Sequence, residues 1–293
     1  MSISKKTVLI TGCSEGGIGA AMAKVLHEKG YYVFATLRNK CKIGILGELE
    51  HVEVLEFDVV SKDSVVRCAE HVRKRTGGTL DMLVNNAGQG FLMPLLDVDI
   101  DKAKCLFDVN FWGVLNVVQA FAPMIIEAKG ILVNHSSVSC NMLLPWKGIY
   151  TSSKAAVTQL SEVLRVELEP LGVRVVTALI GAIQTQALEN TRREEFKMPL
   201  NSYFKPARQF ILDERARTKY PTSQHVDVTA QNLVKDILGG AKGCIWRGGS
   251  ATEARWLTWL LPSWALEKLT AGSMGLAELR HHYTTNPKQM PTM

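Results

Sequence analysis

The sequence predicts a single doubly wound α/β fold, a parallel sheet with helices on both faces. Short apolar runs alternate with helical patterns at the spacing of βαβ units, and each run is continuously apolar rather than alternating with polar residues. A glycine-rich turn joins the first run to the first helix, where such sheets bind ligands beyond the carboxyl ends of their strands. The 293 residues, 46% hydrophobic and 21% charged, suffice for a large core. One domain is expected over 1–250, with a helical lid at 186–225 after the sixth strand. A Trp-rich extension at 251–293 is expected to form no separate domain.

Thr7–Ile10 reads as a buried strand ending in Thr11-Gly12, and residues 13–19 as the loop before a helix that ends at Gly30. Tyr31–Leu37 and Val52–Phe57 are the second and third strands. Ser61 is expected to cap a helix running to about Thr76. Leu80–Val84 is the fourth strand, and a long helix spans about 99–128. Gly130–Asn134 is the fifth strand, a helix carrying Tyr150 runs to about Glu169, and Val173–Leu179 is the sixth. Residues 186–225 carry many charges, Pro199, Pro206, Pro221 and two short helices, an insertion expected to lie over the carboxyl ends of the sheet. Val226–Leu238 is a further helix and Gly243–Trp246 a last strand.

The formal charge of +6 is mild, and no basic run is interleaved with aromatics, so nucleic acid is not an expected partner. The six cysteines (13, 41, 68, 105, 140, 244) contain no Cys-x-x-Cys pair. They read as buried, reduced thiols of a cytoplasmic protein, with no metal site. The N-terminus runs straight into a strand, which predicts no cleaved leader, and no membrane span is expected.

Gly12, Gly16, Gly17 and Gly19 form the first βα turn. Missing side chains let a pyrophosphate approach the N–H groups of the following helix. An acidic residue ending the second strand would favour NAD; this chain has Thr36-Leu37-Arg38-Asn39-Lys40. Arg38 can pair with a 2′-phosphate, which points to NADP(H), although the Glu15 carboxylate would repel that phosphate. The same loop matches Gly-x-Ser-x-Gly as Gly12-Cys13-Ser14-Glu15-Gly16, the pattern of a hydrolase nucleophile elbow. Against a lipid hydrolase built on Ser14, no earlier strand supplies an oxyanion loop. Nor does spacing distinguish a partner among His135, His225, His281 and His282.

Tyr150 and Lys154 stand four apart and share one helix face. A free phenol, with a pKa of about 10, is a poor acid near neutrality, and an ammonium beside it favours the phenolate. Ser137 ends the fifth strand thirteen residues before Tyr150, and Asn110 lies on the long preceding helix. Together with Thr11-Gly12…Gly17-Ile18-Gly19, Asp58 and Asn85-Asn86-Ala87-Gly88, these residues resemble the short-chain dehydrogenase/reductase family over roughly residues 5–250.

The resemblance implies a Rossmann-type reductase. Tyr150 would be the acid that protonates a carbonyl oxygen, Lys154 would lower its pKa, and Ser137 would hold the substrate oxygen. Asn110 would support a water leading from Lys154 to solvent. Asp58 would bind the adenine amino group, and Asn86 and Ala87 would lie along the adenosine. Gly12, Ser14, Gly17, Ile18, Val59, Gly88, Ile183 and Thr185 would complete the NADP(H) site, with a homo-oligomer, dimer or tetramer, as the assembly. The chain departs from the family in a glycine loop one residue longer than usual and in Ile180, where Pro-Gly is usual. A cofactor-sensing binding protein on the same fold is a second class of reading, against which stands the intact Asn–Ser–Tyr–Lys set.

Thr-Gly-Cys-Ser-x-Gly-Gly-Ile-Gly at 11–19, Ala-Thr-Leu-Arg at 35–38 and the Trp-rich end resemble the NADPH-dependent 1-acyldihydroxyacetone-phosphate reductase branch, which is lipid-associated. Similar members reduce polyketide, aromatic or steroid ketones, so the substrate stays open between these classes. Residues 186–220 carry eight Lys/Arg (192, 193, 197, 205, 208, 215, 217, 219) against five Asp/Glu (189, 194, 195, 213, 214), which suits a lipid phosphate or a solvated helical lid equally. Phe91, Leu92, Met93, Leu143, Leu144 and Trp146 are candidates for an apolar pocket wall. Trp256, Trp259, Leu260, Leu261, Trp264 and Leu266, flanked by Arg255 and Lys268, suit a peripheral lipid interface, at endoplasmic reticulum or lipid droplets, or a tail packed over the pocket.

Overall fold

The computed structural model describes residues 3–185, 196–216 and 223–286. All seven apolar runs form strands of one parallel sheet: β1 (Thr7–Thr11), β2 (Tyr32–Leu37), β3 (Val52–Glu56), β4 (Met82–Asn85), β5 (Ile131–Ser137), β6 (Arg174–Ile180) and β9 (Gly243–Arg247). β7 (Ile183–Gln184) and β8 (Gln224–His225) pair apart from it; two residues are too few for any apolar pattern to announce them. The strand order is β3-β2-β1-β4-β5-β6-β9. It reverses at β1 and β4, which opens a crevice at their carboxyl ends.

α1 (Ile18–Glu28) and the helix Val226–Leu238 cover one face of the sheet; α2 (Lys62–Thr76), α4 (Gly113–Glu127) and α5 (Gly148–Leu168) cover the other. Val8 and Ile10 pack with Met22, Leu26 and Leu233 on the first face, while Leu9 between them packs with Phe121 and Val157 on the second. Both faces of β1 are therefore buried, which is why its run has no polar alternation. Burial of each such side chain contributes about 1.5–3 kcal/mol.

The expected single helix over 99–128 is divided into α3 (Ile100–Phe107), a π-helical turn (Asp108–Trp112) and α4. Asp99 caps α3 by accepting from the N–H groups of Asp101 and Lys102 at 2.9 and 3.2 Å. The wider turn holds the one extra residue that seats Asn110 inward, fully buried. By length and composition alone, the run Ile100–Glu127 is long and apolar enough to cross a membrane. Its Val114, Val117, Phe121 and Ile125 pack in the core. The expectation of buried thiols also needs correction: Cys13 and Cys68 are buried, but Cys41, Cys105 and Cys244 are exposed, on a surface turn, the outer side of α3 and the edge strand β9.

Candidate active site

The glycine loop is shaped by close backbone approach. Gly12 has φ +76°, and a Cβ there would lie 3.0 Å from both Ala87 Cα and Asn86 Nδ2. A Cβ on Gly19 would collide with Asn86 Nδ2 and lie 2.6 Å from Gly12 O. Asn86 locks the arrangement: its Nδ2 donates to Thr11 O at 2.7 Å and Gly12 O at 3.0 Å, while Thr11 Oγ1 accepts from the Asn86 and Ala87 N–H groups at 3.0 and 2.9 Å. Gly17 is the cap position before α1, and its missing side chain leaves the first N–H groups without a side-chain cap toward the crevice.

A cleft of about 1960 Å³ runs from this loop across the carboxyl ends of β1, β4, β5 and β6. A drug-sized ligand needs about 300–1,000 Å³, so the cleft has room for a dinucleotide and a second molecule. It is lined by Gly12, Ser14, Gly17, Ile18, Arg38, Asp58, Val59, Asn86, Ala87, Gly88, Ser137, Tyr150, Lys154, Ile183 and Thr185. Of the candidate catalytic and cofactor-binding residues, Asn110 is the one that does not line it. Arg38 is exposed at the end of β2, and the Glu15 carboxylate lies against Gly44. Asp58 Oδ1 accepts from Val60 N at 3.0 Å, so this side chain also shapes its own turn, while Ser61 caps α2 through the Ser64 N–H.

The other end of the cleft is built by β5 and α5. Lys154 is 7% exposed, and its ammonium donates to His135 O at 3.0 Å. Burial lowers its pKa from 10.5 to about 8; the nearby Cys140 thiol opposes that shift. Tyr150, half-buried, lies one turn earlier on the same face. Ser137 Oγ donates to Ile180 O at 3.3 Å and accepts from Ser139 N and Ser139 Oγ at 3.2 and 2.9 Å, which fixes the hydroxyl at the strand end. Asn110 stands behind this group: Nδ2 donates to Gln89 O and Ser153 Oγ at 3.0 and 3.1 Å, and Oδ1 accepts from Gln89 N at 2.8 Å. It therefore acts on the cleft through the Gly88–Gln89 backbone; a Cβ on Gly88 would lie 3.3 Å from Asn110 Oδ1 and 3.4 Å from Lys154 Nζ.

His135 joins the two ends. Its carbonyl holds Lys154, and its Nδ1 lies 3.1 Å from Asn86 Oδ1. The Asn86 amide nitrogen is committed to Thr11 and Gly12, so the hydrogen-bond network assigns Nδ1 as the donor. Burial, with the Lys154 charge, pushes the His135 pKa down to about 3, so the ring stays neutral near pH 7. Its place on the apolar fifth strand concealed this role, and only its polarity there could have signalled it. Among the described residues no histidine hydrogen-bonds the Ser14 hydroxyl, which leaves the Gly-x-Ser-x-Gly match without a base.

The roof of the cleft is a separate apolar cluster of Trp146, Ala207, Ile211 and Met274, with Phe196, Met198 and Phe204 packed on it. Phe91, Leu92, Met93 and Leu144 line the cleft as expected. Leu143 instead is 50% exposed, and Trp146 is turned into the roof by a φ of +69°. The Trp146 Nε1–H donates to Met274 O at 3.1 Å, and Tyr283 OH donates to Tyr203 O at 2.7 Å, so the C-terminal extension straps the lid. Leu257, Leu269, Thr270 and Met274 of this extension reach the cleft. Trp256, Trp259 and Trp264 remain 49, 74 and 63% exposed. Residues 192, 193, 217 and 219 of the basic lid set, acidic residues 189, 194 and 195, and Pro221 lie outside the described residues.

Comparison with known proteins fits this geometry. The short chain dehydrogenase family model matches residues 6–195. The short-chain dehydrogenase cctT of Talaromyces islandicus is 50% identical over 252 residues, 86% of this chain and 89% of that protein. The NADPH-dependent 1-acyldihydroxyacetone phosphate reductase of Schizosaccharomyces pombe is 40% identical over 214 residues, 72% of each. A crystal structure of a short chain dehydrogenase from Burkholderia cenocepacia in complex with NADP matches with a TM-score of 0.70 at 26% identity, covering 92% of this chain and 99% of that one.

Proposed function

The chain belongs to the short-chain dehydrogenase family, oxidoreductases acting on CH–OH or C=O groups, and from that premise we propose that it is an NADPH-dependent reductase of a hydrophobic ketone. The observation that carries this reading is the buried Lys154 ammonium one turn beyond Tyr150, in the same cleft as the uncapped N-terminus of α1.

The cradle at Gly12 and Gly19 and the free N–H groups of α1 suit a pyrophosphate, and Arg38 suits a 2′-phosphate. The NADP in the Burkholderia structure and the NADPH dependence of the yeast relative support the same cofactor. Asn86, Ala87, Asp58 and Val59 would flank its adenosine, and Ile183 and Thr185 its nicotinamide end. When bound, the dinucleotide supplies the reducing equivalent.

The chain's own residues handle the oxygen. Ser137 Oγ–H turns from Ile180 O to the substrate carbonyl and holds it. Tyr150 gives its phenolic proton to that oxygen as negative charge develops. The Lys154 ammonium stabilises the phenolate left behind, and Asn110 fixes the Gly88–Gln89 backbone beside it. Exposed Trp112, Val163 and Val166 offer apolar surface for a second copy, and the exposed tryptophans of the extension support peripheral contact with a lipid surface. The test is NADPH oxidation against a panel of acyl-dihydroxyacetone phosphates, steroid ketones and aromatic or polyketide ketones. Carbonyl-dependent oxidation is expected; none across the panel favours a cofactor-sensing binding protein.

A further inference from the structure

Lys147 is the residue before α5 and stands three positions ahead of Tyr150, so the two side chains lie on one side of the helix start. Both line the cleft. The Lys147 ammonium is paired with Glu214, which the lid helix Arg208–Ala216 brings down onto it. The two side chains are 13% and 4% exposed, so the pair is largely removed from water. The wall of the same cleft includes apolar and sulfur-bearing side chains, Met93, Met142, Leu144 and Met198.

We propose that the Lys147–Glu214 pair sets the substrate class, selecting uncharged hydrophobic ketones and rejecting ketones that carry a phosphate or carboxylate. The proposal rests on the reductase reading and deepens it. A cation beside Tyr150 would by itself recruit an anionic substrate. Here the lid already supplies the counter-charge. An entering phosphate meets the Glu214 carboxylate, and to reach Lys147 it must displace that carboxylate, leaving a buried anion without its cation. A neutral ketone leaves the pair intact. Elsewhere in this half of the cleft, Lys102, Lys197 and Arg215 are balanced by Asp97, Asp99 and Glu253. The one positive charge left over in its described lining is Lys154, whose ammonium is buried and donates to His135 O. Methionines adapt to varied apolar shapes, which suits a neutral ligand recognised by contact rather than by charge.

The test compares 1-palmitoyl-dihydroxyacetone with its 3-phosphate, two ketones differing in one anionic group. The wild-type kcat/KM is expected to favour the neutral ketone at least about tenfold, and Glu214→Gln is expected to move the ratio about tenfold or more toward the phosphate. The double variant Lys147→Met/Glu214→Leu should keep the neutral preference. A ratio is read because loosening the lid would depress both substrates together. Wild-type preference for the phosphate, or a ratio unmoved by Glu214→Gln, overturns the proposal. If neither ketone is reduced, the full ketone panel decides the reductase reading, and calorimetric titration of the NADPH-loaded protein with dodecyl phosphate and dodecanol still decides this one. Dodecyl phosphate should bind about tenfold tighter to Glu214→Gln than to wild type, and that gain should vanish when Lys147→Met is added; equal binding to all three contradicts it.

Discussion

The Lys154 ammonium donates to the His135 carbonyl at 3.0 Å, which ties the helix of Tyr150 to the strand that ends in Ser137. The contact is buried, and burial holds the Lys154 pKa at about 8 rather than 10.5. Below pH 8 both the folded and the unfolded chain carry the proton, and the folded chain bears the full cost of the buried charge. Between pH 8 and 10.5 the unfolded chain binds more protons, so stability rises with pH, by ~3 kcal/mol in total from this group. Denaturant unfolding of the ligand-free protein at pH 7 to 10 should show this rise in wild type relative to Lys154→Met. Parallel pH profiles for the two would contradict it. In the same range kcat/KM for ketone reduction should fall above about pH 8, as the free enzyme loses the ammonium that supports Tyr150.

The glycine loop makes a steric prediction. Gly19→Ala places a methyl group against Asn86 Nδ2 and Gly12 O. Stability should fall by about 1–3 kcal/mol, and the KM for NADPH should rise because the loop that would receive the pyrophosphate is displaced. Wild-type thermal unfolding and KM would show that the loop tolerates the methyl group.

Most of the fold could be read from the chain because each βα unit announces itself locally. A run such as Val8-Leu9-Ile10 is apolar on both faces, and Gly12 and Gly19 permit the close approach that follows it. The site residues were legible for a different reason, since Tyr150, Lys154 and Ser137 keep fixed spacings on regular elements. What was not legible depends on distant segments meeting. Trp146 reads as a pocket-wall residue until Phe204 and Met274 arrive from the lid and the extension to bury it. Nothing in the sequence marks Lys147 out until Glu214 of the lid pairs with it. The π-helical turn at Asp108–Trp112 has no local pattern either, because the partners of Asn110 are Gln89 and Ser153.

Cofactor choice should follow the end of β2. Arg38 is exposed there and lines the cleft, with no carboxylate at Leu37 or Asn39. Arg38→Asp removes the partner of a 2′-phosphate and adds a repelling charge, so the ratio of kcat/KM for NADPH over NADH should drop by at least about tenfold. An unchanged ratio removes Arg38 from the cofactor site.

The extension has a packed side and an exposed side. Leu266, Thr270 and Met274 are buried, while Trp256, Trp259, Leu260 and Trp264 face outward, with Arg255 and Lys268 placed over the Trp256 and Trp264 rings. The protein is expected to float with anionic liposomes, and Trp259→Ser/Trp264→Ser to stay in the soluble fraction. Wild-type protein found wholly in the soluble fraction argues for a tail that only packs on the lid.

The central claim is that Tyr150 is the acid of a carbonyl reductase. Tyr150→Phe keeps the ring and removes the hydroxyl that carries the proton, so it is measured by steady-state turnover with a reducible ketone, alongside NADPH binding followed by fluorescence. Turnover should fall by roughly 10²–10⁴-fold with NADPH affinity little changed. Turnover above about a tenth of wild type, with NADPH still bound, would contradict the assignment.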